Sequence, residues 1–578
     1  SRGVMGYGVA TGASGQMSLR GIGGPAQAGL PTTGLLVLID GHPQYMGLMG
    51  HPIADAYQTM MAERVEVLRG PASVLYGSNA MGGVINIVTR KMQEDGIRTN
   101  INIGAGSYGS IQTEATNRIR KGRFSSTVTA SYNRTDGHRA DMAFEQYGGY
   151  AKLGYDFTDN WKVWGDVNVT RFNATNPGSV MKPYIDNDQR ITRGMTSFAL
   201  ENYYEKTSGA LSFFYNWGDH WINDGYQPGG EPLQYRFNSN DQMLGVSWYQ
   251  SVQLFQGNRL TVGADYFHFG GEAWNQFFDG HRETSANKSL NEVAGYVDFR
   301  QDIAAWLTLD AGARVDYHSQ TGTEFIPQVG LAFHLPENAE IKAMASKGFR
   351  NPTIREMYMF PPQNPDLKPE KLWNYEIGMK YFSSDYKFNL NAALFYIDWK
   401  DQQIFVMGMM GPGIKNAGDA HSLGGEMDLR WEFLPNLTYI LSAGYSHAEY
   451  YHNLDKSHEG NRIVMAPEFT GNTGFIYQKA VKTSCFRSFV ASTTVTGFGT
   501  QYFDEANLLK QKPYFLWNLD LSISGKYADF RIWGKNILDK AFFTYMLNNP
   551  VGQKLPIYND MGQSGAPARF GASVTFKI

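Results

Sequence analysis

Apolar and polar residues alternate with a period of two along most of the chain after residue 97, which is the pattern of β-strands rather than of helices. In one such run Val128 and Ala130 alternate with Thr127 and Thr129. Three further apolar rows follow the same rule: Trp161, Val163, Val167 and Val169; Tyr386, Phe388, Leu390, Ala392, Leu394 and Tyr396; Phe515, Trp517, Leu519, Leu521 and Ile523. The pattern predicts an all-β architecture for this part of the chain.

The apolar face of these rows predicts strands that cross a lipid bilayer. Several rows approach the ~9–11 residues that a tilted strand needs to span the hydrocarbon. The opposite face is too polar to form the second packed surface of a soluble β-sandwich. Since every backbone group in hydrocarbon has to be paired, such a sheet has to close into a barrel. The ~480 residues that remain after the first ninety suffice for an even number of strands in the low twenties.

Long polar segments between the rows predict loops at one end of the barrel. The clearest are residues 173–193, 217–240 and 271–290. Outer loops of membrane barrels are usually longer than the turns at the other end. We therefore expect these segments on the outer side.

The first ninety residues have a different texture and predict a small α+β unit. Arg64–Leu68 alternates as a short strand, which Gly70-Pro71 ends. Pro71–Tyr76 suits a short helix that ends at Gly77, because glycine takes the left-handed cap conformation. Val84–Thr89 is rich in β-branched residues and predicts a second strand.

Composition narrows the class of protein. Aromatic residues make up 14% of the chain, as expected for a membrane barrel with aromatic girdles, and no segment has the ~20 uninterrupted apolar residues of a spanning helix. The single cysteine, Cys485, excludes a disulfide framework and a thiolate metal cluster. A net charge of −3 without a basic run argues against nucleic acid as a partner.

Several motifs resemble one protein family. Residues 63–91, E-R-V-E-V-L-R-G-P-A-S-V-L-Y-G-S-N-A-M-G-G-V-I-N-I-V-T-R-K, closely resemble the plug-domain signature of TonB-dependent outer-membrane receptors. Residues 18–21 (S-L-R-G) and 37–41 (V-L-I-D-G) resemble the two earlier plug signatures in the family's order. Residues 534–540 and 566–571 are similar to its closing motifs, with Gly534 in place of the usual valine.

The resemblance implies an all-β transmembrane barrel of 22 antiparallel strands with an amino-terminal α+β plug in its lumen. We place the plug at residues 1–93 and the barrel at residues 94–578. Plug domains of this family begin well before the L-R-G motif. We therefore expect the amino-terminal part of the plug, including the segment that contacts TonB, to be missing from this chain.

The resemblance also implies a function and partners. The expected function is TonB-dependent active transport of a scarce metal chelate, an iron–siderophore complex, haem or cobalamin, across the outer membrane of a Gram-negative bacterium. Expected partners are TonB with its inner-membrane energising complex, the chelate, outer-membrane lipid and lipopolysaccharide, and as an option a surface lipoprotein. No resident cofactor is expected, and no enzyme motif such as H-E-x-x-H or G-x-S-x-G occurs.

In this family two plug arginines face two barrel glutamates. The matching residues here are Arg20 and Arg69 from the plug, and Glu376 and Glu426 from the barrel. Two positive and two negative charges can be buried together, whereas the loss of one would leave a costly unpaired charge. We interpret this set, called the Arg20 latch below, as structural rather than catalytic.

Residues 42–51, called the apical loop below, follow the I-D-G turn, where the family places a loop that faces the incoming substrate. Imidazole and thioether groups in this loop could bind a soft metal, with methionine selecting Cu(I). Methionines also fill irregular gaps in apolar cores, and contact with a bulky chelate is a third interpretation. The candidate ligand-binding residues in the loop are His42, Tyr45, Met46, Met49 and His51, and those from the barrel are Met407, Met409, Met410 and His421.

Two further sequence boxes lie between residues 349 and 370. F-R-N-P at residues 349–352 and N-P-D-L-K-P-E at residues 364–370 resemble paired boxes of haem receptors, but no histidine lies between them. We interpret these boxes as strand and turn features. Copper uptake through the apical loop is the alternative function, and a passive porin or an adhesive barrel would require the plug motifs to be accidental.

Overall fold

The structure, a computed structural model, describes residues 19–22, 34–51, 56, 62–178, 180, 183–359, 363–408, 411–481, 483, 485–546 and 562–578. The amino-terminal elements are β1 (Leu35–Ile39), β2 (His42–Pro43), β3 (Ala62–Arg69), α1 (Ser73–Tyr76) and β4 (Gly83–Thr89). The four strands form one sheet in the order β2-β1-β4-β3. β1 runs parallel to β4, while β2 and β3 are antiparallel to their neighbours.

The remaining strands build the barrel and two small outer hairpins. They are β5 (Gly96–Gly106), β6 (Ser110–Lys121), β7 (Phe124–Thr135), β8 (Phe144–Asp156), β9 (Trp161–Thr175), β10 (Ile185–Tyr203), β11 (Thr207–Tyr226), β12 (Tyr235–Val252), β13 (Asn258–Phe277), β14 (Arg282–Ala304), β15 (Leu307–His318), β16 (Gly322–Leu335), β17 (Ala339–Arg350), β18 (Glu370–Phe382), β19 (Phe388–Gly408), β20 (Gly411–Leu434), β21 (Leu437–Asn453), β22 (Phe469–Ala480), β23 (Phe486–Phe498), β24 (Gln501–Tyr502), β25 (Lys510–Gln511), β26 (Tyr514–Gly525), β27 (Ala528–Lys535), β28 (Phe543–Met546), β29 (Gly562–Ser564) and β30 (Arg569–Lys577).

Within the described residues, 22 strands close into one antiparallel barrel, as the sequence predicted. Strands that follow one another in the chain are neighbours in the sheet, and β24–β25 and β28–β29 pair outside it. Closure is made by the last strand on the first, in a register that runs from Gly571 opposite Gly106 to Lys577 opposite Asn100. No sheet edge is left open in this barrel. Every strand is therefore paired on both sides, and its backbone N–H and C=O groups need no hydrogen bonds from the surrounding hydrocarbon.

The outer surface of the barrel is apolar and its lumenal surface is polar, the reverse of a soluble protein. On β7, Val128 is 50% exposed whereas Thr129 is 3% exposed. The apolar row of β26 is exposed in the same way at Phe515, Leu519 and Leu521. This inverted pattern is stable where lipid covers the outside. In the part of the chain that the structure describes, no helix is long and apolar enough to cross a membrane.

The predicted outer loops are much shorter than expected. β9 continues to Thr175 and β10 begins at Ile185, and the connections after Tyr226 and after Phe277 are equally brief. In these strands the backbone ladder continues through the polar segments, and inward residues such as Ile222, Phe237 and Ala273 are buried against the plug. The prediction of loops was wrong for these segments because it relied on their polarity alone, and the polar residues belong to extended strands. Tyr386 is a second correction, since it lies at a φ of +56° in the turn before β19.

The β1–β4 sheet lies inside the barrel. Val37, Ile39 and Ile87 pack against Tyr150 of β8 and Met195 of β10 in one buried cluster. On another side, Val74 of α1 packs against Ile326 and Phe349 of the barrel wall. The expected strand–helix–strand unit is present, with Gly77 at a φ of +73° after α1. The plug fold and its position in the lumen are thus as predicted.

Candidate functional site

The apical loop begins at the β1–β2 turn and folds back on itself. Asp40 and Gly41 take left-handed conformations in this turn, with φ of +47° and +87°. Further on, the Met46 N–H donates to the His51 carbonyl oxygen at 3.0 Å, and the Gly50 N–H donates to the Met46 carbonyl oxygen at 2.7 Å. The loop is therefore a compact turn with its own backbone hydrogen bonds.

Two glycines let this turn press into the barrel wall. The Gly47 N–H donates to Asp241 Oδ1 at 2.8 Å, and a β-carbon at Gly47 would overlap the backbone oxygen of Gln242. A β-carbon at Gly50, where φ is +62°, would overlap the side chain of Thr353. Both positions require glycine because the wall approaches the backbone directly.

Of the predicted ligand residues of the apical loop, His42, Met46, Met49 and His51 are buried rather than open to the lumen, and Tyr45 is half-buried. Met46 and His51 are each 1% exposed. Met46 belongs to a large apolar cluster, against which Tyr45 also packs. The members of this cluster come from the loop, from Ala56 after it, from β9–β14 and β20 and from the β17–β18 connection: Met46, Leu48, Met49, Ala56, Phe172, Ala174, Ile191, Phe214, Ile222, Phe237, Met243, Phe267, Phe269, Ala273, Ala286, Leu290, Ile354, Met357, Met359, Leu367 and Ile414.

His42 is held as a neutral imidazole. Its ring meets the rings of Trp164 and Phe214 edge-on, each at 5.6 Å between centroids. Burial lowers the pKa of His42 to about 4, against a smaller opposing effect of the Asp40 carboxylate. A neutral ring can accept a metal or a hydrogen bond through a nitrogen, and the buried Nδ1 of His42 has no hydrogen-bond partner among the described residues.

His51, the last residue of the apical loop, lies near a group of polar side chains on the barrel wall. It lies close enough to His220 on β11 to interact with it electrostatically. Asp241 of β12 bonds Arg193 at 2.5 Å and lies 3.7 Å from His220 Nε2. Among the described residues, no group of three or more His, Cys, Asp or Glu side chains is placed to hold a metal ion.

The barrel residues proposed for the same site do not converge on it. His421 lies on the outer face of β20, contrary to the prediction, because its neighbours Ala420 and Ser422 are buried toward the plug and successive side chains point to opposite faces. Its Nε2 is 3.2 Å from Glu449 of β21. Met409 and Met410 lie outside the described residues, as does the side chain of Met407.

The four residues of the Arg20 latch lie together between plug and barrel. Arg20 contacts Glu376 of β18 through Nη1 and Glu426 of β20 through Nη2, each at 2.5 Å. Arg69 Nη1 is 3.5 Å from Glu426 and 2.9 Å from Asp428. Burial alone would lower the pKa of Arg69, but Glu426 and Asp428 raise it above its usual value.

Asp428 is a fifth member that the sequence motif did not identify. It lies two residues after Glu426 on the same strand, so that both carboxylates face the plug. That spacing was the available signal. The role of the set as a latch remains a prediction.

The F-R-N-P box forms part of the lumenal wall beside the apical loop. Arg350 bonds Glu370 at 2.9 Å and Glu356 at 3.1 Å, all buried. Residues 355–359 then form a π-helix, and the Arg355 N–H donates to the Leu48 carbonyl oxygen at 3.0 Å. The connection between the two boxes therefore rests on the plug.

Comparisons with known proteins agree with this geometry. The family model "TonB-dependent Receptor Plug Domain" matches residues 2–84, and "TonB dependent receptor-like, beta-barrel" matches residues 123–537. The chain belongs to the family of TonB-dependent receptors. It is an outer-membrane β-barrel protein of a family of transport receptors rather than enzymes.

Individual relatives are distant. The iron-regulated outer membrane virulence protein of Vibrio cholerae serotype O1 is 28% identical over 59% of this chain, and the chain spans only about half, 53%, of that relative. The pesticin receptor of Yersinia pestis is 22% identical over 92% of this chain and 83% of its own length. The siderophore receptor PiuA of Acinetobacter baumannii has the same fold, with a TM-score of 0.81, 14% identity and coverage of 100% of this chain and 92% of that one.

Proposed function

We propose that the protein carries a metal chelate across the outer membrane by TonB-dependent active transport. The observation that carries this proposal is a plug wedged inside a closed barrel and bonded to its wall by buried ion pairs. Such a barrel captures a scarce ligand by affinity and releases it when the plug rearranges. The chain has no phosphate-binding loop, so the work has to come from a partner, which the family identifies as TonB.

We propose an iron–siderophore complex as the first substrate class to test, ahead of haem and cobalamin. The iron-regulated virulence protein and the siderophore receptor among the similar proteins support iron, and the absence of a histidine between the two boxes argues against haem. The apolar cluster around the apical loop is rich in aromatic and thioether side chains, which suit a bulky organic chelate better than a bare ion, and because the cluster is buried a chelate would reach it only after the loop moves.

The test is titration calorimetry on the purified protein with ferric catecholate and ferric hydroxamate siderophores, haem and cyanocobalamin, followed by uptake of the radiolabelled binder. Uptake that disappears in cells lacking TonB, while binding persists, would support the proposal. Binding of none of these probes would overturn the substrate class. A large steady conductance of the intact protein in planar bilayers would favour the passive porin instead.

Copper uptake is the second candidate, and one specific observation favours it. Met46 and Met49 share a buried cluster with Met243, Met357 and Met359, and thioethers are the ligands that Cu(I) prefers. Metal analysis after incubation with Cu(I) tests this candidate. Copper stoichiometry that is lost in His51→Ala and Met49→Ala, and kept in the lipid-facing control Met379→Ala, would support it. Tight siderophore binding that the first two variants leave intact would remove it.

A further inference from the structure

Apart from the Arg20 latch, a further buried ion pair joins the plug to the barrel, on strand β8. Asp40, in the β1–β2 turn, places Oδ2 at 2.5 Å from Lys152 Nζ, and the two side chains are 6% and 9% exposed. The plug side of this pair lies two residues before His42, the first residue of the apical loop. The pair therefore sits where the loop leaves the plug sheet.

The polar groups around this pair are bonded. The Thr89 N–H donates to Asp40 Oδ1 at 2.8 Å and the Thr89 hydroxyl donates to Oδ2 at 2.6 Å. The Lys152 ammonium lies 3.7 Å from the centroid of the Trp164 ring, whose edge packs on His42. Burial would raise the pKa of Asp40, but Lys152 and the Thr89 bonds outweigh it and lower the pKa, so the carboxyl is ionised. Removing one partner leaves the other charged and buried.

The position of Lys152 in the barrel is opposite to the Arg20 latch. Around the closed ring of 22 strands, β8 is ten strands from β18, which carries Glu376, and ten strands in the other direction from β20, which carries Glu426. The plug is therefore bonded to two facing walls. Hydrogen bonds and apolar packing also join the plug to the wall, and the ion pairs add charged contacts on two facing sides.

We propose that Asp40 and Lys152 form a second lock of the plug, whose positioning role is to fix the apical loop to the β8–β11 wall while the Arg20 latch holds the facing wall. The importance of this loop for ligand capture rests on the proposed function. The existence of the lock does not depend on the proposed function, because the ion pair is formed in the ligand-free protein. Movement of the plug then requires both ion-pair sites to open, together with the packing between plug and wall.

Hydrogen exchange on the ligand-free protein tests the lock. In Lys152→Met and, independently, in Asp40→Asn, exchange of the amides of β1 and β4 should rise on the order of 100-fold. The conservative Lys152→Arg should keep most of the protection. The swapped double variant Asp40→Lys with Lys152→Asp should recover part of it, because a lysine at residue 40 loses the two bonds from Thr89 and has to take a positive φ. The matched control is Lys162→Met on the adjacent strand, whose pair with Glu201 is longer, at 3.8 Å, and more exposed, and it should change nothing.

A second measurement separates a lock from general stability. The combined variant Arg20→Met with Lys152→Met should conduct in planar bilayers, while each single variant and the Lys162→Met control stay closed. Exchange in Lys152→Met and Asp40→Asn that equals the control, or a swap and an arginine that both fail to restore protection, would overturn the proposal. Failure of every chelate to bind while these results hold would sink the proposed function and leave the lock standing.

Discussion

At the scale of single residues, charges that join plug and barrel were partly visible in the sequence. Arg20, Glu376 and Glu426 were identified because they lie in family motifs. Lys152 and Asp428 were missed because their partners depend on how deep the plug lies in the lumen. The alternation along a strand predicts which side chains face the lumen, but not which plug residue lies at the same depth. The buried state of the apical loop was missed for the same reason.

Substitution of Arg20 should release the plug from one wall. Arg20→Met leaves Glu376 and Glu426 without their main partner in a largely buried site, which costs about 3–5 kcal/mol. The loss is measured as the free energy of local opening from hydrogen exchange of the β1 amides. Arg64→Met removes the exposed Arg64–Glu66 pair of the plug and should cost less than about 1 kcal/mol. Equal effects of the two variants would contradict a special role for Arg20.

Acid should loosen the apical loop through His42. Because folding lowers the pKa of this imidazole from 6.5 to about 4, the unfolded loop binds more protons between those values and its stability falls as pH falls. The loss at pH 5 relative to neutral pH is about 2 kcal/mol. It is measured as the change in amide protection of residues 42–51.

The control for this pH effect is His281→Gln, which alters an exposed imidazole and should leave the dependence intact. His42→Gln should remove it. The charged groups that act on His42 are Asp40, Lys152 and Glu201, and an acid response that persists in His42→Gln would assign the effect to one of them.

At the scale of elements, the outward rows were predicted well and the strand ends poorly. The lipid belt imposes alternation, so β7, β9 and β26 could be recognised from period two alone. Above the belt no such constraint acts, and the polar extensions of β9–β14 have the composition of loops. At Tyr386 the error is the reverse: the alternation assigned this aromatic residue to a strand, but it lies in the turn before that strand.

A charge on the outer face of β26 should destabilise the barrel. Leu519→Lys places an ammonium in the lipid-facing row and should cost about 2–4 kcal/mol if it lies near the bilayer midplane. Ser522→Lys places the same group on the lumenal face of the same strand and should cost far less. Denaturant unfolding in lipid vesicles measures both. Equal costs would mean that the lipid-facing assignment of β26 is wrong.

At the scale of the whole molecule, closure makes the assembly a single unit. The plug is bonded to strands that lie far apart in the chain, namely β8, β18 and β20. The barrel wall that contains them closes only when β30 pairs with β5. The number of strands could be predicted from length and family resemblance. The contacts that hold the plug could be predicted only where family motifs mark them, as for the Arg20 latch. The partners of Lys152 and Asp428 could not, because each pair joins residues more than a hundred positions apart.

Loss of the last strand should therefore abolish insertion into the membrane rather than weaken it. Without residues 569–578, β27 and β5 both present unpaired backbone groups to hydrocarbon, each of which costs several kcal/mol. The assay is insertion of the refolded chain into vesicles, followed by its resistance to protease. Phe576→Leu keeps the strand and one apolar residue of its outer face, and should insert normally. Protease-resistant insertion of the truncated chain would show that another strand pair can close the ring.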